Sequence, residues 1–583
     1  MIKSEIHTVL GLIALSTVIT ACDSSSNPPS AAEKSTTPGA DIVLTNGNIY
    51  TVNASQPWAE AVAISNGKYS YIGDAKSVDG YIEKNTRVID LGGRMAMPGI
   101  NDAHVHPMQG AMKDLYDCNF PFTATPDDIA AAVSQCVAEQ PDAIWIRGGQ
   151  WGSDFFVDYP IENPREWLDQ VSGDKAVYLS DDALHNGWFN SKALDLLGVD
   201  RDTPNPPGVE ILKVPATGEP NGILLEVFGF IGDALPERSA EEYLAAADYV
   251  VGVANRFGIT GMKGASATDQ QIGGFIALDN AGGMTAYYAA SLQTPYGHRE
   301  EPLDVSKLEA RRDAQGSPHV DTRYVKLFMD GVPTASRTAA MLAPYLPETP
   351  DTPVTSGILH INEEVLTTDL IALDKAGFTV KIHTAGDRSV RVALNAIEAA
   401  RAANGDSGLR HELSHAGYIG PGDIQRFAEL NAVAGLNPYI WSPSPIIQSV
   451  VNALGPRAEQ YWPVKSLLES GAPVLAGSDW PAAAANMSPW AAIEALVTRA
   501  DPIGDYPGKL WPEEAITLAQ ALEIFTLQSA RALRLGERSG SVELGKSADL
   551  IVLNQHLFEV PIKAVSDTLV EQVLFEGQVV VGE

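Results

Sequence analysis

Two imidazoles, His104 and His106, stand on alternate residues behind the apolar run Met97-Pro98-Gly99-Ile100. Residues two apart in an extended chain point to one face, so both rings can reach one ion while Val105 turns the other way. Neutral imidazole is the commonest protein ligand for zinc and its divalent neighbours. A bare pair of this kind is more often two histidines in a polar loop. Here Lys326, His383, His415 and Asp479 also close short apolar runs. Each alone has a plain structural reading: Lys326 as a surface lysine, His411 in place of His415, Asp479 as a helix cap within Gly-Ser-Asp-Trp-Pro. All six at matching positions are far less expected by chance than any one of them.

The elements that must carry these residues are short strands separated by helical stretches, the pattern of a parallel α/β barrel. Strands are predicted to end near His104-Val105-His106, Lys263, Ser291, Lys326, His383, His415, Asn437 and Asp479. The carboxyl ends of such strands are where barrels do their chemistry. The barrel is expected over 98–535. The gap at about 108–249 is too long for one crossover and calls for an inserted subdomain. Segments 41–49, 61–65, 69–72 and 87–90 read as strands punctuated by Asn46-Gly47, Asn66-Gly67 and Gly92-Gly93 turns. A matching tail at 550–553, 569–575 and 578–580 predicts that 41–97 and 536–583 pair into one small β domain.

A formal charge of -33 over 583 residues argues against nucleic acid or anionic membrane as a partner of the folded body. Residues 1–21 read as an export signal, with Lys3 before an apolar core too short to span a bilayer comfortably. Ile19-Thr20-Ala21-Cys22 resembles the lipobox of bacterial lipoproteins, with Cys22 as the lipidated residue; ordinary cleavage near Ala21 is the alternative. Asp23 resembles an inner-membrane retention signal, though that rule varies among organisms. The Ser-, Pro- and Ala-rich stretch 22–40 reads as a flexible tether. The expectation is a chain anchored to the bacterial cell envelope on its periplasmic side, touching membrane only through its lipidated end. Cys118 and Cys136 are either a disulfide or two buried thiols. Homo-oligomerisation is left open.

Ordered motifs from about residue 41 onward resemble the amidohydrolase superfamily, and within it amidohydrolase family 3, the YtcJ-like group. They are Met97-Pro98-Gly99-Ile100-Asn101-Asp102-Ala103-His104-Val105-His106, Asn190-Ser191-Lys192-Ala193-Leu194, Gly218-Glu219-Pro220-Asn221-Gly222 and Val325-Lys326-Leu327-Phe328-Met329-Asp330-Gly331. His383-Thr384-Ala385-Gly386-Asp387-Arg388, His415-Ala416, Gly477-Ser478-Asp479-Trp480-Pro481 and Gly545-Lys546-Ser547-Ala548-Asp549-Leu550 follow. The resemblance implies a (β/α)8 TIM-type barrel beside a composite β-sandwich of both chain ends, with one or two divalent ions, most readily zinc, at the barrel mouth. It implies that His104, His106 and Asp479 bind the more buried ion and His383 and His415 the other, with Lys326 bridging as a carbamate. An unmodified Lys326 repels a cation and points instead to one metal or to a substrate-facing lysine. Two departures, His415-Ala416-Gly417 and His383-Thr384-Ala385, leave the ligands in place but alter the pocket.

An open position on such an ion lowers the pKa of water toward about 7. Asp479 then takes the proton and returns it to the leaving nitrogen. His185 matches a family histidine that contacts the scissile carbonyl, and Trp151, Arg337 and Trp480 are candidates for the substrate wall. Asp330, Asp387, Arg388 and again Arg337 are candidates to orient the ligands through ion pairs. The expected activity is hydrolysis of a small-molecule, non-peptide amide such as an N-acyl or N-formyl compound. Cyclic amides, carbamates or esters are the rival substrates. A non-catalytic ligand-binding or regulatory lipoprotein is the rival of another class, and it has no use for Asp479 as a proton carrier.

Overall fold

A computed structural model describes residues 39–582 apart from 228–229, 352 and 441. The expected signal segment 1–21, Cys22 and nearly all of the tether lie outside the described residues. Eight parallel strands in sequential order make the central sheet. They are β1 (Ile100–Val105), β2 (Ile259–Ala267), β3 (Tyr287–Gln293), β4 (Val320–Phe328), β5 (Thr379–Thr384), β6 (Glu412–His415), β7 (Val433–Leu436) and β8 (Val474–Ala476). All residues of β1, β2, β5 and β8 are buried, as strands covered on both faces must be.

The sheet curls into a nearly closed α/β barrel because the segment after β8 latches onto β1. The Asp479 N–H donates to the His104 carbonyl at 2.7 Å. The Ser478 N–H donates to the Asp102 carboxylate at 3.0 Å. Glycine is required at 477, since a Cβ there would lie 2.3 Å from the His104 nitrogen. Register then sets the barrel levels: Lys326 lies beside Lys381, and Phe328 beside His383, across β4 and β5.

Between β1 and β2 the chain builds a six-stranded sheet with strands running from Cys118–Asn119 to Pro220–Leu225. It packs over its own apolar cluster, which includes Trp151, Phe155 and Trp188. Cys118 and Cys136 are joined in a disulfide, their Cα atoms 5.9 Å apart. The bridge ties the first of these strands to the helix Pro126–Glu139.

Both chain ends share another six-stranded sheet, in which Leu550–Leu553 runs antiparallel to Met95–Pro98. A four-stranded sheet from the amino-terminal part shares its core, with Leu44 and Ile64 packed in one cluster with Leu550 and Leu574. The single strand expected over 41–49 is instead two strands, Ile42–Thr45 and Asn48–Tyr50, placed in different sheets. Asn46 at φ 56° makes the break, a left-handed backbone that asparagine tolerates better than most residues. Among the described residues no helix is long and apolar enough to cross a membrane.

Candidate functional site

His104 is on β1, and His106 lies one residue beyond the strand, directly before Pro107, which opens the helix Pro107–Tyr116. Its backbone N–H donates to the Trp480 carbonyl at 2.8 Å, so the end of β1 and the segment carrying Asp479 are zipped together. The consequence is close convergence. His104 Nε2 lies 3.2 Å and His106 Nε2 3.3 Å from the same carboxylate oxygen, Asp479 Oδ1. The three ligand atoms all fall within 4.8 Å of one another.

Two of those atoms, His104 Nε2 and Asp479 Oδ1, are buried with no hydrogen-bond partner. An orphaned buried polar atom costs roughly 1–3 kcal/mol, so a pair aimed at one point fits a divalent cation that both would bind. The electrostatics suit that role. Burial, with Lys381 and Lys326 nearby, holds His104 well below the ordinary imidazole range. Burial and Lys326 do the same to His383, and burial and the His383 ring do so to His415. All three imidazoles are therefore neutral at pH 7, the form that can bind a metal ion. Burial alone would raise Asp479, but contacts with His106, His415 and Lys326 outweigh it and keep the carboxyl below its usual value.

His383 and His415 stand on the adjoining arc of the barrel, their rings 4.5 Å apart, and the His415 ring is 4.8 Å from that of His104. His415 Nδ1 lies 2.9 Å from Asn437 Oδ1 and 3.8 Å from Asp479 Oδ2. His383 Nδ1 lies 3.1 Å from Asp330 Oδ1. Asp330 is fixed in turn by the backbone N–H groups of Ala340, Ala385 and Gly386 and by Ser389. Asp330 thus fixes the orientation of the His383 ring through Nδ1. Lys326 is buried in the same chamber, where burial and the neighbouring Lys381 push its amine down to about 7.

The chamber is walled by His106, His185, Lys326, His383, His415 and Asp479 at its polar pole. Leu184, Phe328, Ile440, Ile446 and Val450 belong to its apolar lining, and Asp182, Ser153, Ser266, Tyr296 and Thr334 add further polar groups. Among the described residues no arginine lines it. The other residues expected at the substrate wall sit elsewhere. Arg337 is spent on Glu348 at 2.7 Å. Trp151 is buried in the core of the inserted sheet, against Phe156. Trp480 is buried in the barrel core, filling the space that a side chain at Gly110 would need. The two tryptophans turn into apolar cores, and Arg337 turns to Glu348 and to the Ala335 and Leu346 carbonyls. Asp387 accepts from the Leu342 N–H at 2.7 Å, and the Arg388 N–H donates to the Ala340 carbonyl; no contact of either with a ligand is seen among the described residues.

Sequence reasoning missed Glu226 and Tyr296, which meet His185 in the chamber wall. It also missed an ion cluster one level below the imidazoles. Lys381 Nζ lies 2.8 Å from Glu412 Oε2, and Lys263 contacts the other oxygen. Lys381 also donates to the Ala103 carbonyl at 3.0 Å, and it stands 3.5 Å from His104 Nδ1. The alternation Lys381-Ile382-His383 on β5 is the available signal, because it puts Lys381 about 6.6 Å beneath His383 on the same face.

A family profile described as "Amidohydrolase family" matches residues 87–581. Protein LONG AFTER FAR-RED 3 of Arabidopsis thaliana is 30% identical over 539 residues, covering 89% of this chain and 88% of its own. An N-substituted formamide deformylase of Arthrobacter pascens is 28% identical over 531 residues, covering 88% and 93%. Among solved structures, an uncharacterized metal-dependent hydrolase from Pyrococcus horikoshii OT3 superposes with a TM-score of 0.69 at 22% identity. That match covers 89% of this chain and 99% of the other.

Proposed function

We infer the reaction from what the chain is, a member of the amidohydrolase family and a hydrolase of carbon–nitrogen bonds other than peptide bonds. On that footing we propose that it cleaves a small, uncharged amide, an N-acyl or N-formyl compound with an apolar substituent. The observation that carries this reading is the meeting of His104 Nε2, His106 Nε2 and Asp479 Oδ1 at one point, with two of these atoms otherwise unpartnered. These residues would hold a divalent ion, zinc by donor type, and His383 and His415 would hold a second. The lowered basicity of Lys326 supports its carbamylation as a bridge, since only a free amine takes up carbon dioxide. Such an ion supplies acidified water and polarises an amide carbonyl.

The chain's own residues supply the rest. Asp479, ionised at neutral pH, takes a proton at a carboxylate oxygen from the water attacking the amide carbon. It delivers that proton to the departing nitrogen, without which an amine leaves poorly. The apolar wall of Leu184, Phe328, Ile440, Ile446 and Val450 favours a greasy substituent. Among the described residues that wall has no arginine, and Lys326 as a carbamate would offer no positive charge, which disfavours the carboxylate of an N-acyl amino acid there. The 28% identity to a formamide deformylase supports the same substrate class.

Metal quantification on the purified full chain, followed by assays with N-alkylformamides, N-acyl amines and N-acyl amino acids, tests the reading. We expect one or two divalent ions per chain and formate release from an N-alkylformamide. Full activity after exhaustive chelation, or a metal-loaded protein inert toward every amide, would overturn it. The two sheets that share a core at the chain ends are read as a β-sandwich. Export and lipid anchoring at Cys22 are part of the proposal, supported by the Cys118–Cys136 disulfide, which suits an oxidising compartment. Replacing Cys22 by Ser should release the protein from the membrane fraction.

A further inference from the structure

The His185 ring is held from one side only. Its Nδ1 lies 2.8 Å from Glu226 Oε2, whereas Nε2 has no hydrogen bond among the described residues and the ring lines the chamber. Glu226 is itself buried and tightly fixed. Tyr296 donates its hydroxyl to Oε2 at 2.6 Å, and Thr338 donates to Oε1 at 2.6 Å. Gly331 leaves room for that oxygen, since a Cβ at this position would stand 2.1 Å from it. The Glu226 N–H donates to Asn186 Oδ1 at 3.2 Å, and the Val227 N–H donates to the His185 carbonyl at 2.9 Å.

The backbone of Glu226 has φ 54°, a left-handed conformation that persists in such a residue only where the surroundings over-determine it. A buried carboxylate is also a poor way to gain stability, because an apolar side chain of like volume usually serves as well or better. The segments of Asn186, Tyr296, 331–338 and His360 therefore converge on a strained, charged residue that faces two imidazoles, His360 at 3.8 Å and His185, of which His185 lines the chamber. An amide offers both a carbonyl acceptor and, unless fully substituted, an N–H donor. Nε2 finds a partner on it whichever proton the ring carries.

We propose that Glu226, braced by Tyr296 and Thr338, is a positioning residue that fixes His185 so that Nε2 orients the amide group of the substrate in the chamber holding Asp479. The amide itself rests on the functional reading above; the orientation of the ring does not. The test uses the zinc-loaded full chain with N-butylformamide as probe. Glu226→Ala should lower kcat by roughly 10- to 100-fold, the scale of one charge-assisted hydrogen bond, with KM within about threefold. Glu226→Gln keeps an oxygen to accept from Nδ1 and should recover most of the loss. The double variant His185→Ala/Glu226→Ala should be no slower than His185→Ala alone. Additive losses, or no recovery with glutamine, overturn the proposal.

Crystal structures of the wild type and of Glu226→Ala decide the orientation independently of turnover, with Tyr296→Phe as the milder variant should alanine not fold. A His185 ring that keeps its place in them overturns the proposal whatever the protein hydrolyses. An inert wild type whose ring still turns in the variant would sink the amide reading and leave the positioning role standing.

Discussion

Two groups of buried ionisable side chains occupy successive levels of one barrel. In the lower group, Glu412 is in contact with Lys263 and Lys381, so each ammonium meets an opposite charge. In the upper group, two imidazoles crowd one carboxylate oxygen, and His104 Nε2 and Asp479 Oδ1 have no hydrogen-bond partner. The levels share strands: β1 carries His104 and β5 carries both Lys381 and His383. Their difference separates structure from function. A carboxylate between two lysines is answered by charge within the chain, whereas a carboxylate oxygen shared by two imidazoles has no such counter-charge on it and fits an added cation.

The largest effect expected from breaking this contrast is kinetic. Asp479→Asn removes the proton carrier and should cut kcat on any amide substrate by about 10²–10⁴-fold, with little change in unfolding free energy. Steady-state assays paired with urea denaturation measure both, and a variant with full turnover ends the proton-carrier role. The mirror experiment is Glu412→Gln, which strands two buried ammonium groups. Removing one partner of a buried pair costs about 3–5 kcal/mol, read as a lower denaturation midpoint. A loss under 1 kcal/mol would mean that the lower level is not structural.

Metal separates the levels next. Zinc at about one hundred times its dissociation constant should stabilise the wild type by about 2.7 kcal/mol in calorimetry and should do much less for His104→Ala. The smallest effect lies at the seam between the barrel and the terminal sheets, where a partly exposed ion pair makes a third case. His319, Arg538 and Tyr287 hold Glu576 down at about 2, against an ordinary 4.5. A carboxyl depressed by folding contributes its full stability above the ordinary value and loses it as pH falls from about 4.5 toward 2. Glu576→Gln should flatten acid unfolding over that window by less than about 1 kcal/mol, because solvent screens the pair.

How far the site was legible depends on the distance over which its parts communicate. His104 and His106 are two residues apart, and β alternation alone puts them on one side. Lys326, His383, His415 and Asp479 were found because each closes an apolar run. Trp151, Arg337 and Trp480 were misread because residue type and nearness to a motif do not say which way a side chain turns. Glu226 and Tyr296 left no signal, for they reach His185 across 41 and 111 positions without a motif of their own.

From sequence alone came the parallel α/β plan, the order of its eight strands and the sharing of a sheet by the two termini, because periodicity and turn residues act over a few neighbours; the strand expected to end near Lys263 runs on to Ala267, and the last ends at Ala476, short of Asp479. Only the tertiary structure decided that Asp479 touches His104, that Glu412 answers two lysines, that the cysteines are joined and that Glu226 stands behind His185. Those contacts are set by barrel closure and by the path of the inserted sheet, and no local pattern records where remote segments come to rest.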